Sequence, residues 1–130
     1  MRMYLLIGAL LALLGVMLGA FGAHGLKNML STAALETFEV GVRYQIYHSL
    51  AIMLLGGLTA QASALWCKRA AVLFMIGCVL FSGSIYLLTI TGQKWLGPVT
   101  PLGGLCLMLG WASVIMGLIK GPEQQSGDVQ

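Results

Sequence analysis

Two histidines are the side chains of this chain best suited to proton transfer or metal ligation, and each stands among other polar groups. His24 ends the run GAFGAH (Gly19–His24), and His48 follows Arg43, Tyr44 and Gln45 in RYQIYH. An imidazole titrates near neutral pH and can donate, accept or bind a metal, so one placed within an apolar stretch raises a functional question. Hydroxyls come from Ser82, Ser84 and Tyr86 in LFSGSIYLL and from Thr100 before Pro101. Glu39 stands four residues ahead of Arg43, the favoured order for a pair on one helix face. The candidate polar site is therefore His24, Glu39, Arg43, Tyr44, Gln45, His48, Ser82, Ser84, Tyr86 and Thr100.

The chemistry open to this set is narrow. A bis-histidine haem needs two rings facing across an open slot, and zinc needs further ligands, for which only Glu36 or Glu39 would be near. Cys67, Cys78 and Cys106 show no C-x-x-C spacing and read as isolated thiols. No nucleophile–base motif, phosphate-cradling loop or carboxylate pair within an apolar stretch is present. No catalytic, cofactor-binding or metal-binding residue is assigned, no cofactor is expected, and an enzyme is disfavoured.

The elements that carry these residues follow from composition. Of 130 residues 58% are hydrophobic and only 8% charged, against roughly 25% charged in soluble domains, which places the chain in the lipid bilayer. Four apolar stretches, Met3–Ala23, Gln45–Ala62, Ala70–Thr91 and Pro101–Ile119, each approach the ~20 residues that cross a bilayer as helix. The expected fold is an all-α membrane protein, four transmembrane helices in a compact antiparallel bundle forming one domain over residues 1–120. The start also has the pattern of a secretory signal, but its apolar run is long for one, and it is read as the first span. The segment from Ser31 or Thr32 sets Leu35, Phe38, Val42 and Ile46 on one face and Glu36, Glu39 and Arg43 on another, predicting an amphipathic interfacial helix over about 32–44 that lies along the membrane surface or leads directly into the second span. Residues 121–130 read as a disordered polar tail.

Thr100-Pro101 reads as an N-cap and first helical proline, and Lys120-Gly121-Pro122 as a helix stop. Trp66 and Trp95 stand at span ends, whereas Trp111 falls mid-span, where its indole N–H needs a partner, a backbone carbonyl being expected. With an even number of spans, Arg2, Lys68, Arg69 and Lys120 share one side and Lys27, Arg43 and Lys94 the other. That small excess places both termini in the cytoplasm. No basic stripe suits nucleic acid.

Small residues recur at helical spacing: Gly8, Ala12, Gly15, Gly19 and Gly22 in the first stretch, Gly77 and Ser84 in the third, Gly103, Gly110 and Gly117 in the fourth. Such stripes let helices approach closely in lipid. Because successive spans alternate direction, the polar candidates are expected at one membrane face, His48 about one turn inside.

GAFGAHGLK, RYQIYHSLA, LFSGSIYLL with a following TG, and LGPVTPLGGLCLMLGW together resemble the small four-span bacterial inner-membrane proteins of the YgdD/YwdK type, over about residues 3–119. The resemblance implies a multi-pass inner-membrane protein without an established reaction, cofactor or substrate, and a shared face holding His24, Arg43, Tyr44, Gln45, His48, Ser82, Ser84, Thr100 and Pro101. Two function classes stand: a structural or interaction protein that packs or oligomerises, or meets a membrane-protein partner, through its stripes; and a transport or binding protein taking a small solute, lipid head group or protons around His24 and His48.

Overall fold

The computed structural model describes residues 1–124; the expected polar tail lies outside the described residues from position 125 onward. Four α-helices follow one another: α1 (Arg2–His24), α2 (Thr32–Leu58), α3 (Ala64–Thr91) and α4 (Val99–Lys120), with a single 3-10 turn at Lys94–Leu96 before α4. Among the described residues, three segments are long and apolar enough to cross a membrane: Arg2–His24, Ala64–Thr91 and Lys94–Lys120. The expectation of four transmembrane helices plus an interfacial helix is therefore corrected to three candidate spans. The premise that put both termini on one side, an even span count, goes with it.

The error lies in α2. The interfacial helix expected at 32–44 and the span expected at 45–62 are one unbroken helix of 27 residues, about 40 Å long. Nothing between Val42 and Ser49 breaks a helix, since neither glycine nor proline occurs there. Ser31 caps its start, its hydroxyl accepting from the Ala34 N–H at 3.1 Å. Glu36, Glu39, Arg43, Gln45 and His48 all lie on this helix, which makes it the least apolar of the four and keeps it from qualifying as a span.

What α2 lacks in apolarity it makes up in burial. Phe38, Ile52 and Leu55 are almost completely enclosed, because α1 packs on one side of α2 and α3 on another, while α4 packs mainly on α3. The α1 helix reaches α2 through glycine. A methyl group at Gly8 would fall 2.7 Å from Met53 Cγ, and one at Gly15 2.8 Å from Ile46 Cγ1, while those at Gly19 and Gly22 would press on Val42 and Phe38. Tyr4, Leu11 and Leu18 pack against the core, while many other large residues of α1, among them Leu6, Leu13, Val16 and Met17, face outward, as suits a helix that associates largely by close backbone approach. On the α3–α4 side Gly77 meets Leu107, Gly110 meets Phe74 and Gly117 meets Trp66. At Gly103 a methyl would come within 2.7 Å of the Leu80 and Phe81 backbone.

The ends of the helices also differ from expectation in places. Helix α3 starts six residues earlier than the third stretch, so Cys67, which falls between the second and third stretches, is a buried helical residue. It stops at Gly92, whose φ of 71° is open to glycine and whose N–H bonds the Leu88 carbonyl at 2.9 Å. In α4 the helix is already under way at Val99, with Pro98 in the capping position. Thr100 is consequently not the N-cap, and its hydroxyl is used elsewhere.

These contacts separate glycines that close helix approach requires from glycines that it does not. Gly103→Ala places a methyl against backbone and is expected to lower stability by about 1–3 kcal/mol. Gly57, whose added methyl meets nothing within 4 Å, is expected to tolerate alanine or gain up to about 1 kcal/mol from helix propensity. Thermal unfolding of both variants in detergent checks this, and equal effects at the two positions would contradict these helix contacts.

Candidate functional site

The register of α1 on α2 fixes the depth of the two histidines. Gly8 lies opposite Ser49, Gly15 opposite Ile46, Gly19 opposite Val42 and Gly22 opposite Phe38, so His48 is level with the middle of α1. His24 closes that same helix, about 18 Å away along the axis at 1.5 Å per residue. The histidines do not share a site. The expected depth of one turn for His48 came from starting its helix at Gln45. With α2 beginning at Thr32, His48 sits well inside the protein and is 5% exposed.

Both ring nitrogens of His48 are engaged. Nδ1 is 2.7 Å from the Tyr44 carbonyl, and Nε2 is 3.1 Å from Trp111 Nε1. A carbonyl only accepts and an indole N–H only donates. The network therefore assigns the neutral tautomer, with the proton on Nδ1 donated to Tyr44 and Nε2 accepting from Trp111. Phe74 packs on the pair, 5.3 Å from the His48 ring and 5.1 Å from Trp111 between centroids, and Tyr44 lies beside His48 and Phe81. The partner of Trp111 is thus an imidazole from another helix and not the backbone carbonyl that was expected. Two signals stood apart in the sequence, a mid-helix indole and a histidine, and only the true start of α2 brings them to one level.

Gln45 forms a second joint. Its Nε2 donates to the Leu11 carbonyl of α1 at 2.8 Å, and its Oε1 accepts from the Tyr86 hydroxyl of α3 at 2.6 Å. One amide so ties three helices. Gly15 lies beside this joint: a methyl there would sit at ordinary contact distance from Gln45 Nε2 but 2.8 Å from Ile46 Cγ1, the residue next along α2. Tyr86 also stacks against Phe38, with centroids 5.0 Å apart. Gln45 and Tyr86 floor an otherwise apolar groove of about 480 Å³ between α1 and α3, walled by Leu14, Leu18, Phe21 and Val79.

The other candidates serve separate joints. Ser82 Oγ donates to the Gly41 carbonyl at 2.6 Å, linking α3 to α2. Ser84 Oγ donates to the Phe81 carbonyl at 3.0 Å and lies 2.6 Å from Thr100 Oγ1, linking α3 to α4. Arg43 pairs with Glu39 at 3.7 Å on the exposed face of α2, an arrangement worth little in water. His24 is exposed at the end of α1. The ten candidates thus form several dispersed contacts rather than one pocket. Among the described residues no buried side-chain nitrogen or oxygen lacks a partner. Nor do three or more histidine, cysteine, aspartate or glutamate side chains gather as a metal would require.

Trp111→Phe removes the donor to His48 Nε2 and is expected to cost about 1–3 kcal/mol of stability. In His48→Leu the same Trp111 change should cost clearly less, a non-additivity measured by thermal unfolding of the two single variants and the double. Nitrogen NMR of His48 should show Nδ1 protonated and Nε2 bare at pH 7. The opposite tautomer would refute the network.

Residues 18–104 match the sequence model of a family described as a protein of unknown function, DUF423. The UPF0382 membrane protein YwdK of Bacillus subtilis (strain 168) is 38% identical over 121 residues, covering 92% of this chain and 98% of its own. A UPF0382 membrane protein of Staphylococcus haemolyticus is 38% identical over 120 residues, with the same coverage. The UPF0382 inner membrane protein YgdD of Escherichia coli (strain K12) is 34% identical over 119 residues, covering 92% of this chain and 91% of its own. No solved structure matches. The chain is a membrane protein and belongs to the DUF423 family, the family to which its four motifs pointed.

Proposed function

We propose that this integral membrane protein is a structural or interaction protein of the bacterial inner membrane, and not an enzyme. The observation that carries this reading is the closed hydrogen-bond inventory around His48: both ring nitrogens are taken by partners within the chain, and neither is left free to take up a proton. A proton carrier needs a group that can load and unload, and Gln45, Ser82 and Tyr86 are likewise spent on tying helices together. The glycine stripes lie against neighbouring helices of the same chain. A second copy or a membrane-protein partner would therefore meet the outward apolar faces of α1 and α4, where Leu13, Met17, Met108 and Ile115 stand exposed.

A second reading, binding of a small polar solute or lipid head group, draws support from a cleft of about 310 Å³ between the end of α1 and the start of α2. It is lined by Lys27, Thr32, Glu36 and Glu39 over a floor of Gly22 and Phe38. Neither histidine contributes to it, which favours binding over proton coupling.

Purified protein in liposomes tests the choice. The structural reading expects proton flux across pH 5–8 to equal that of protein-free vesicles, with His48→Ala lowering the thermal midpoint and His24→Ala leaving it unchanged. Proton flux that disappears in His48→Ala while the protein stays folded would overturn it.

A further inference from the structure

The end of the molecule opposite His24 holds a cluster of cations that none of the joints above uses. At the start of α3, Trp66 lies under two of them: Arg69 Cζ is 4.7 Å and Lys120 Nζ, arriving from the last turn of α4, is 5.8 Å from the indole centroid. Lys68, next to Arg69 in sequence, lines the same groove as Arg69. Among the described residues none of the three forms an ion pair with a carboxylate. The nearby Glu123 instead accepts from Ser63 Oγ at 3.3 Å. Cation–π contact with an indole orients the side chains without neutralising their charge, so the cluster is positive and shaped.

A groove of about 360 Å³ begins at this cluster. Leu65, Lys68, Arg69, Val72 and Leu73 line it from α3, and Ser113 closes it from α4. Their spacing along α3 marks one helix stripe that passes from the charged end into the apolar interior of a candidate span. Ser113 gives its hydroxyl proton to the Leu109 carbonyl at 2.9 Å, so the inner half of the groove asks for no polar partner. Positive charge at the rim, a tryptophan at the depth of an interface and an apolar slot below describe an amphiphile with an anionic head and a hydrocarbon tail.

We propose that the Lys68–Arg69–Lys120 end of α3 and α4 is a binding site for an anionic phospholipid. The phosphodiester is held by the Lys68 ammonium and the Arg69 guanidinium, with Lys120 completing the positive rim, and an acyl chain lies along Leu65, Val72 and Leu73. Arginine suits the role because its planar fork can hold two phosphate oxygens at once. The first turn of α3, whose N–H groups open at this end, adds to the attraction for negative charge.

The test uses the full-length protein in detergent, with thermal midpoint and native mass spectrometry as readouts. Phosphatidylglycerol is compared with phosphatidylcholine of the same acyl chains and with inorganic phosphate. The expected result is retention and thermal protection by phosphatidylglycerol alone. Affinity should fall about five-fold in Lys68→Gln or Arg69→Gln and about twenty-five-fold in the double variant. Lys94→Gln, in the 3-10 turn beyond the far end of α3, should match the parent and shows that loss of charge as such is not the cause. Equal retention of phosphatidylcholine, undiminished phosphatidylglycerol binding by a folded double variant, or protection by inorganic phosphate at the lipid's concentration would each overturn the proposal.

Discussion

A helix interior that carries a glutamine and a histidine half-way along its length must supply both with partners, and that requirement organises the rest of this protein. Amide and imidazole groups withdrawn from water without hydrogen bonds cost several kcal/mol in an apolar setting, ~2–7 kcal/mol for an amide-like group. Here α1 answers with the Leu11 carbonyl, α3 with the Tyr86 hydroxyl and α4 with the Trp111 indole. Each answer demands proximity. The glycines of α1, the Gly41–Ser82 contact and the close seat of α4 at Gly103 and Gly110 are how the surrounding helices come near enough to give it.

Much of this architecture can be read from the chain, and the part that cannot has a definite cause. The glycine spacing in the first stretch marks the face of α1 that meets α2, because a small side chain recurring at helical period leaves few other uses. Membrane character and family are equally plain, the first from the scarcity of charge and the second from four motifs in order. The second helix is where inference failed. Cutting it at Gln45 treats Arg43 and the two glutamates as a membrane surface, yet backbone hydrogen bonding does not heed the change in side-chain polarity, and the helix simply continues. That one displaced boundary moved His48 from the middle to the edge and gave it His24 as a companion in place of Trp111.

The same displacement explains why the polar residues looked like a single face. Serines, a tyrosine and threonines clustered in FSGSIYLLTIT and LGPVT fall near one end of their helices by residue count. Their hydroxyls nonetheless point to different neighbours: Ser82 to α2, Ser84 to α4, Tyr86 to the amide of Gln45. Direction around the helix, which turns by about a hundred degrees at each residue, divides what linear position groups together.

Two of the ties between helices end on a main-chain carbonyl, Leu11 for Gln45 and Gly41 for Ser82. A carbonyl is present whatever side chain its residue bears. Position 11 can therefore change among apolar residues without removing the acceptor, whereas bulk added at Gly15 would stand 2.8 Å from Ile46 Cγ1 and force α1 and α2 apart beside the tie. The residue that accepts the bond is thus replaceable and the residue that merely makes room is not, so a substitution survey of this chain would mark the silent glycine and pass over the acceptor.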